Sequence, residues 1–254
     1  LENAKKRQLI TLNSMLKNNL ITEDEKNEAY NLELVYLGKP KENESRTIMY
    51  YQDAVMDELD SIENIPKSLI ETGGLKIYTN LDLNLQLTLE NYFNTYMTDE
   101  LLQVSSIISE SNTGKIKALI GGRDYSKSQY NRAISSKRQM GSSLKPFLYY
   151  SALENGFTAS TTFTSSKTTF ILSNNKTYSP KNYGNIYADK EISMAAALAY
   201  SDNIYAVKTN LFLGEENLVD ILERVGINSK LAPNPSLALG TAELTMKEMI
   251  EAYS

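Results

Sequence analysis

The chain reads as an α+β protein preceded by a short helical segment. Alternating apolar runs cluster between residues 75 and 121, and helical patterns dominate from 142 to 253. The two textures follow one another and do not interleave as the βαβ units of a parallel sheet would. With 254 residues, 41% of them hydrophobic and 22% charged, the composition is that of a globular protein of one or two domains, long enough to bury a core.

Ala4, Leu9, Ile10, Leu12, Met15, Leu16 and Leu20 recur near helical spacing over residues 3–20, and Asn18-Asn19 breaks the pattern. Thr22-Glu23-Asp24-Glu25 is a capping box that opens a second helix to about Asn31. Residues 1–34 are therefore expected to form a helical pair with an apolar stripe in need of a partner. Residues 35–72 are expected to connect this pair to the main domain, 73–254. Within the connection, 38–44 is a charged loop and 47–60 carries a helical pattern. Leu75–Asn80 alternates as a strand, and Asp82 to about Tyr96 reads as a helix. Val104–Ser109 and Lys115–Gly121 read as two strands of a hairpin turned at 110–114. Helices are expected at 142–155, 191–200, 204–213, 215–225 and 245–253. Gly156, Gly214 and Gly226 stand where C-caps belong, and 157–189 is loop-rich.

The missing residue types narrow the chemistry. The chain has no His, no Cys and no Trp. That excludes Ser-His-Asp triads, thiol nucleophiles, disulfides and zinc held by His or Cys, and no metal or cofactor is expected. Covalent catalysis would fall to Ser, Thr, Lys, Tyr or a carboxylate. With 26 Lys+Arg against 31 Asp+Glu, the net charge of −5 argues against a nucleic-acid partner. No run reaches the ~18 apolar residues of a membrane span. The chain begins without Met inside a helical pattern, and is expected to be a fragment of something longer.

Ser-x-x-Lys is the nucleophile–base pairing that this composition leaves open, because residues three apart on a helix share a face. It occurs as Ser14/Lys17 on the polar side of a helix, as Ser173/Lys176 in a polar loop, and as Ser142/Lys145. Only the third has a suitable context. Gly141 permits a tight turn, and Pro146 is tolerated only in a first helical turn, so Ser142 stands at a helix N-terminus. The apolar segment Phe147–Leu153 behind it would partly desolvate Lys145. The alternative, commoner on pattern alone, is a capping Ser with a solvent-facing Lys. Ser201-Asp202-Asn203 follows an Ala-rich helix and allows two readings as well: a Ser or Asp cap of the next helix, or a hydroxyl and an amide presented into a cleft.

Gly-Ser-x-x-Lys-Pro followed 59 positions later by Ser-Asp-Asn resembles the first two motifs of the serine penicillin-binding protein and β-lactamase superfamily. Gly73–Asp82, Gly121–Tyr125, Tyr130–Ala133 and Leu237–Thr241 resemble the transpeptidase domain of class A, bifunctional penicillin-binding proteins. The first 30 residues resemble the end of the glycosyltransferase domain that precedes it. The family's third motif, Lys-Thr-Gly or Lys-Ser-Gly, is absent from these residues, as are the glycosyltransferase motifs. The chain is thus expected to be trimmed at both ends and to acylate slowly, if at all, as it stands.

The resemblance implies a penicillin-binding protein/serine β-lactamase-like fold and a D,D-transpeptidase that cross-links peptidoglycan stem peptides ending in D-Ala–D-Ala. It implies Ser142 as nucleophile, Lys145 as base, Ser201 as proton shuttle and Asn203 as holder of the substrate amide. β-Lactams would acylate the same serine. The parent protein would be membrane-anchored and act on the extracytoplasmic face of the bacterial membrane. Two alternatives stand beside this: a β-lactamase or β-lactam sensor on the same fold, and a non-catalytic interaction module. The Glu-x-x-x-Asn pattern of class A β-lactamases does not occur after Ser201, which counts against the first.

Overall fold

A computed structural model describes residues 2–33, 47–72, 74–99, 101–172 and 175–254. The expected loop over 38–44 lies outside the described residues. The chain divides into two compact units, 1–44 and 45–254.

In the first unit, α1 (Glu2–Lys17) and α2 (Glu23–Asn31) form the expected pair. The capping box is made in both directions: Glu25 N–H donates to Thr22 Oγ1 and Thr22 N–H donates to the Glu25 carboxylate. Lys5 Nζ donates to the Tyr30 and Leu32 carbonyls at the end of α2, where a cation meets the negative pole of the helix. Leu12 is buried, while Leu9 and Leu16 are half-buried.

The second unit opens with α3 (Ile48–Ser61), α4 (Lys67–Thr72) and α5 (Leu83–Tyr96), followed by β1 (Ser106–Ser109), β2 (Ile116–Ile120), α6 (Arg132–Ser135) and β3 (Arg138–Gln139). A 3-10 turn, Gly141–Leu144, leads into α7 (Lys145–Glu154). Then come β4 (Thr162–Ser165), β5 (Phe170–Ile171), β6 (Thr177–Tyr178), β7 (Lys190–Ser193), α8 (Met194–Ala199), α9 (Asn203–Leu213) and α10 (Glu215–Arg224). β8 (Glu243–Leu244) and α11 (Met246–Tyr253) close it. The described strands pair as antiparallel ladders β1–β2, β3–β8, β4–β7 and β5–β6.

Two cores organise this unit. Tyr50 and Tyr51 of α3 pack with Ile107, Leu119 and Ala133, so the helical pattern at 47–60 is built against the hairpin. α5 docks on the edge of β2 through buried Gln86. Its amide accepts from Leu119 N–H at 2.8 Å and donates to Leu119 C=O at 3.0 Å, as a neighbouring strand would. The larger core gathers α7, α8, α9 and α10 around Leu148, Ala152, Ala197, Tyr205, Ala206 and Leu222.

The structure departs from the sequence reading at 75–80, at 191–200 and in the loop-rich stretch 157–189, which holds β4, β5 and β6. Residues 75–80 form no strand, and Leu75, Ile77 and Tyr78 are exposed. Alternation gives a strand only where a ladder partner exists, and none pairs with this run among the described residues. The helix expected over 191–200 begins only at Met194. Residues 190–193 are spent on pairing with β4, and the Ser193 hydroxyl then caps α8 by accepting from Ala196 N–H.

β3–β8 pairing and a backbone contact brace the turn after β3. Gly141 N–H donates to Gly240 C=O at 3.0 Å. Gly240 has φ +71°, and a Cβ there would lie 1.9 Å from the Gly141 carbonyl oxygen. Gly240→Ala is therefore expected to lower stability by ~2 kcal/mol or more through left-handed strain and this clash. Urea unfolding measures it, and an unchanged midpoint would show that the two segments separate without cost.

Candidate active site

The contact between residues 141 and 240 sets the entry to α7. Gly141 at φ +56° turns the chain, Leu144 is fully buried, and Pro146 occupies the first turn of α7, where no N–H is needed. Ser142 lies between these anchors and is exposed. Lys145, one helical turn further on, is 1% exposed. The solvent-facing alternative is thereby set aside for Lys145. The capping alternative fails for Ser142, whose hydroxyl instead accepts a hydrogen bond from Ser201 Oγ at 2.8 Å.

Ser201 owes its position to the end of α8. The chain turns there through a left-handed residue, Ser201 at φ +53°. Asp202 N–H donates back to the Ala197 carbonyl at 2.9 Å. Both readings of Ser-Asp-Asn are realised, in different residues. Asp202 is the N-cap of α9, accepting from Tyr205 N–H at 2.7 Å, while Ser201 and Asn203 present their polar groups to Lys145.

Lys145 Nζ donates to Ser201 C=O (2.6 Å), Ser201 Oγ (3.0 Å) and Asn203 Oδ1 (2.6 Å). All of an ammonium's donors are used, as a buried cation requires. Burial brings the Lys145 pKa down to about 8, against the pull of the nearby Asp202 carboxylate. At neutral pH roughly one amine in ten is then free of its proton, against far fewer for a solvated lysine.

The structure thus gathers Ser142, Lys145, Ser201 and Asn203 into one hydrogen-bonded cluster, with one difference from expectation. Ser142 and Lys145 share no direct hydrogen bond among the described residues; Ser201 Oγ stands between them, bonded to both. The other Ser-x-x-Lys pairs are not part of the cluster. Ser14 and Lys17 are exposed on α1, and Ser173 lies outside the described residues.

Sequence reasoning missed the outer layer. The Asp202 carboxylate accepts from Ser165 Oγ of β4 and from Asn182 Nδ2 at 2.7 Å. Asn203 Nδ2 donates to Lys181 C=O at 2.7 Å. Ser165 and Asn182 fall in a stretch rich in Ser, Thr and Asn, where no spacing sets them apart. A cavity of about 550 Å³ lies elsewhere, between α3, the β1–β2 turn and α11, and none of the four site residues lines it.

Residues 104–234, which include all four site residues, match the family described as the penicillin binding protein transpeptidase domain. The chain belongs to that family. It is 40% identical over 253 residues to penicillin-binding protein 2D of Bacillus subtilis, covering 99% of this chain and 37% of that protein. It is 40% identical over 156 residues to penicillin-binding protein 1A of Aquifex aeolicus, covering 60% of this chain and 21% of the relative. Among solved structures, penicillin-binding protein 1A from Haemophilus influenzae superposes with a TM-score of 0.58 at 20% identity, over 98% of this chain and 51% of that one. PonA1 from Mycobacterium tuberculosis, solved with penicillin V, superposes with a TM-score of 0.68 at 20% identity, over 80% of this chain and 57% of that one. These likenesses show the penicillin-binding transpeptidase fold. The chain spans well under half the length of the curated relatives named here. Among the described residues no helix is long and apolar enough to cross a membrane.

The buried ammonium has a direct signature. In a protein labelled with ¹³C at lysine Cε, Lys145 is expected to titrate with a midpoint near 8, apart from the bulk lysines at about 10.4. A midpoint of Lys145 among the bulk would contradict its burial.

Proposed function

We propose that the chain carries the acyl-transfer site of a D,D-transpeptidase that cross-links peptidoglycan stem peptides. The observation that supports this best is the chain of bonds from exposed Ser142 Oγ through Ser201 Oγ to the buried amine of Lys145. A serine hydroxyl is a weak nucleophile until a base takes its proton. With Lys145 neutral, the bonds reverse: Ser142 donates to Ser201, and Ser201 donates to the amine. Ser142 Oγ then attacks the carbonyl between the two terminal D-Ala residues. The C–O bond forms, the peptide C–N bond breaks, and the departing D-Ala amine takes its proton through Ser201. In the second half an amine of another stem peptide attacks the ester. The new amide C–N bond forms, the bond between the acyl carbon and Ser142 Oγ breaks, and the proton released by the amine passes back to Ser142 Oγ. A β-lactam enters the first half through its strained amide.

Asn203 has its Oδ1 on Lys145 and one N–H on Lys181, which leaves it a second N–H and a second lone pair for a substrate amide. The Ser142 N–H, at a helix start where N–H groups lack partners, serves as one oxyanion donor. We read residues 1–34 as the end of a glycosyltransferase domain, 35–72 as the connection, whose helix α3 packs into the compact unit that follows, and 73–254 as the transpeptidase domain. The protein would be a membrane-anchored bifunctional synthase working on the extracytoplasmic face, with stem peptides and β-lactams as its ligands.

The test is covalent labelling. Expressed in a chain that also supplies a Lys-Thr-Gly strand, the domain is expected to gain the mass of one benzylpenicillin, and Ser142→Ala to gain none. A peptide map that places the adduct on another residue, or an adduct that survives Ser142→Ala, would overturn the assignment.

A further inference from the structure

The Ser-Asp-Asn turn is not held by its own bonds alone. Ser201 is left-handed, Asp202 is buried, and the first N–H groups of α9 need partners. One side chain from outside the motif meets several of these needs. Asn182 Oδ1 accepts from Asn203 N–H at 2.8 Å and from Ile204 N–H at 3.3 Å. Asn182 Nδ2 donates to the Asp202 carboxylate at 2.7 Å and to its own loop at Ile186 C=O, 3.1 Å away. The adjacent Lys181 carbonyl takes Asn203 Nδ2, so the same loop also fixes which way the Asn203 amide faces and leaves Oδ1 for Lys145.

We propose that Asn182 is a positioning residue for the acyl-transfer site, clamping the Ser201-Asp202-Asn203 turn against α9 so that Ser201 and Asn203 stay aimed at Lys145. The inference rests on the acyl-transfer reading above. Among the described residues Asn182 shares no hydrogen bond with Ser142 or Lys145, and it acts through the backbone N–H of Asn203 and the carboxylate of Asp202. The carboxamide suits this place because it is acceptor and donor at once. An aspartate would keep the acceptor side but set a second carboxylate against Asp202.

That asymmetry supplies the test. Asn182→Asp, Asn182→Ser and the exchange Asn182→Asp/Asp202→Asn are compared by acylation with benzylpenicillin and by the ¹³C titration of Lys145. Asp202 is the charged group that acts on Lys145. Tyr149 of α7 and Tyr205 of α9 are pushed up by burial and stay neutral over the range studied, and Lys181 is exposed and gives the cluster only its carbonyl. Asn182→Asp is expected to slow acylation by on the order of 10- to 100-fold, the scale of a misplaced catalytic group. It should also raise the Lys145 midpoint, because a second anion favours the ammonium. The exchange restores one amide and one carboxylate and is expected to bring both readouts back toward wild type, which a loss of packing alone would not do.

A folded Asn182→Asp with rate and midpoint unchanged, or an exchange that recovers neither, would overturn the proposal. If Asn182→Asp does not fold, Asn182→Ser decides: slower acylation supports the clamp, and an unchanged rate refutes it. If the wild-type domain is not acylated at Ser142, the acyl-transfer reading fails, and the Lys145 midpoints alone decide the positioning role.

Discussion

The buried ammonium of Lys145 is the constraint around which the rest of the site is arranged. A cation shielded from water is tolerated only if every donor finds an acceptor, and the acceptors here come from one turn: the Ser201 carbonyl, the Ser201 hydroxyl and the Asn203 amide. That requirement joins α7 to the α8–α9 junction. It also explains the left-handed Ser201, because that conformation directs both the carbonyl and the hydroxyl of one residue to the same nitrogen. Burial that makes the amine costly to charge also lowers its pKa toward neutral, so the structural demand and the proposed chemical use have one origin.

Each partner in this contact is braced from behind by a different device. Ser142 and Lys145 are placed by two glycines in close approach and by the β3–β8 ladder. Tyr253 of α11 adds a hydrogen bond from its hydroxyl to the Ser143 carbonyl at 2.5 Å. The Ser-Asp-Asn turn is held by the Asp202 cap, by Ser165 from β4 and by Asn182 from the loop before β7. None of these braces carries out a chemical step, but each restricts how far a hydroxyl can drift from the amine.

Ser142 and Lys145 were legible in the sequence through their local context, whereas Ser201 and Asn203 took their roles from the resemblance to a known motif. Gly141 and Pro146 bracket a helix start, and Ser142 and Lys145 at three-residue spacing follow from it. The Thr22 capping box and the glycines after α7, α9 and α10 mark helix ends for similar local reasons. What escaped depends on contacts distant in sequence. The run at 75–80 alternates like a strand but finds no ladder. β4 and β7 are joined across more than twenty residues, and the clamp by Asn182 exists only because the loop folds over the start of α9. The Ser201 bridge between Ser142 and Lys145 was hidden for the same reason, since spacing on one helix says nothing of a hydroxyl that arrives from another.

Activation of Ser142 by Lys145 through Ser201, as proposed, makes the two partners one unit, and a double-mutant cycle on the acylation rate reads that coupling. If the proton route is shared, Ser201→Ala and Lys145→Ala each slow benzylpenicillin acylation by on the order of 10²-fold or more. The double variant is then no slower than the slower single one, because groups acting as a unit are not additive. Losses that multiply in the double variant would mean that the two residues act independently, and would contradict the account.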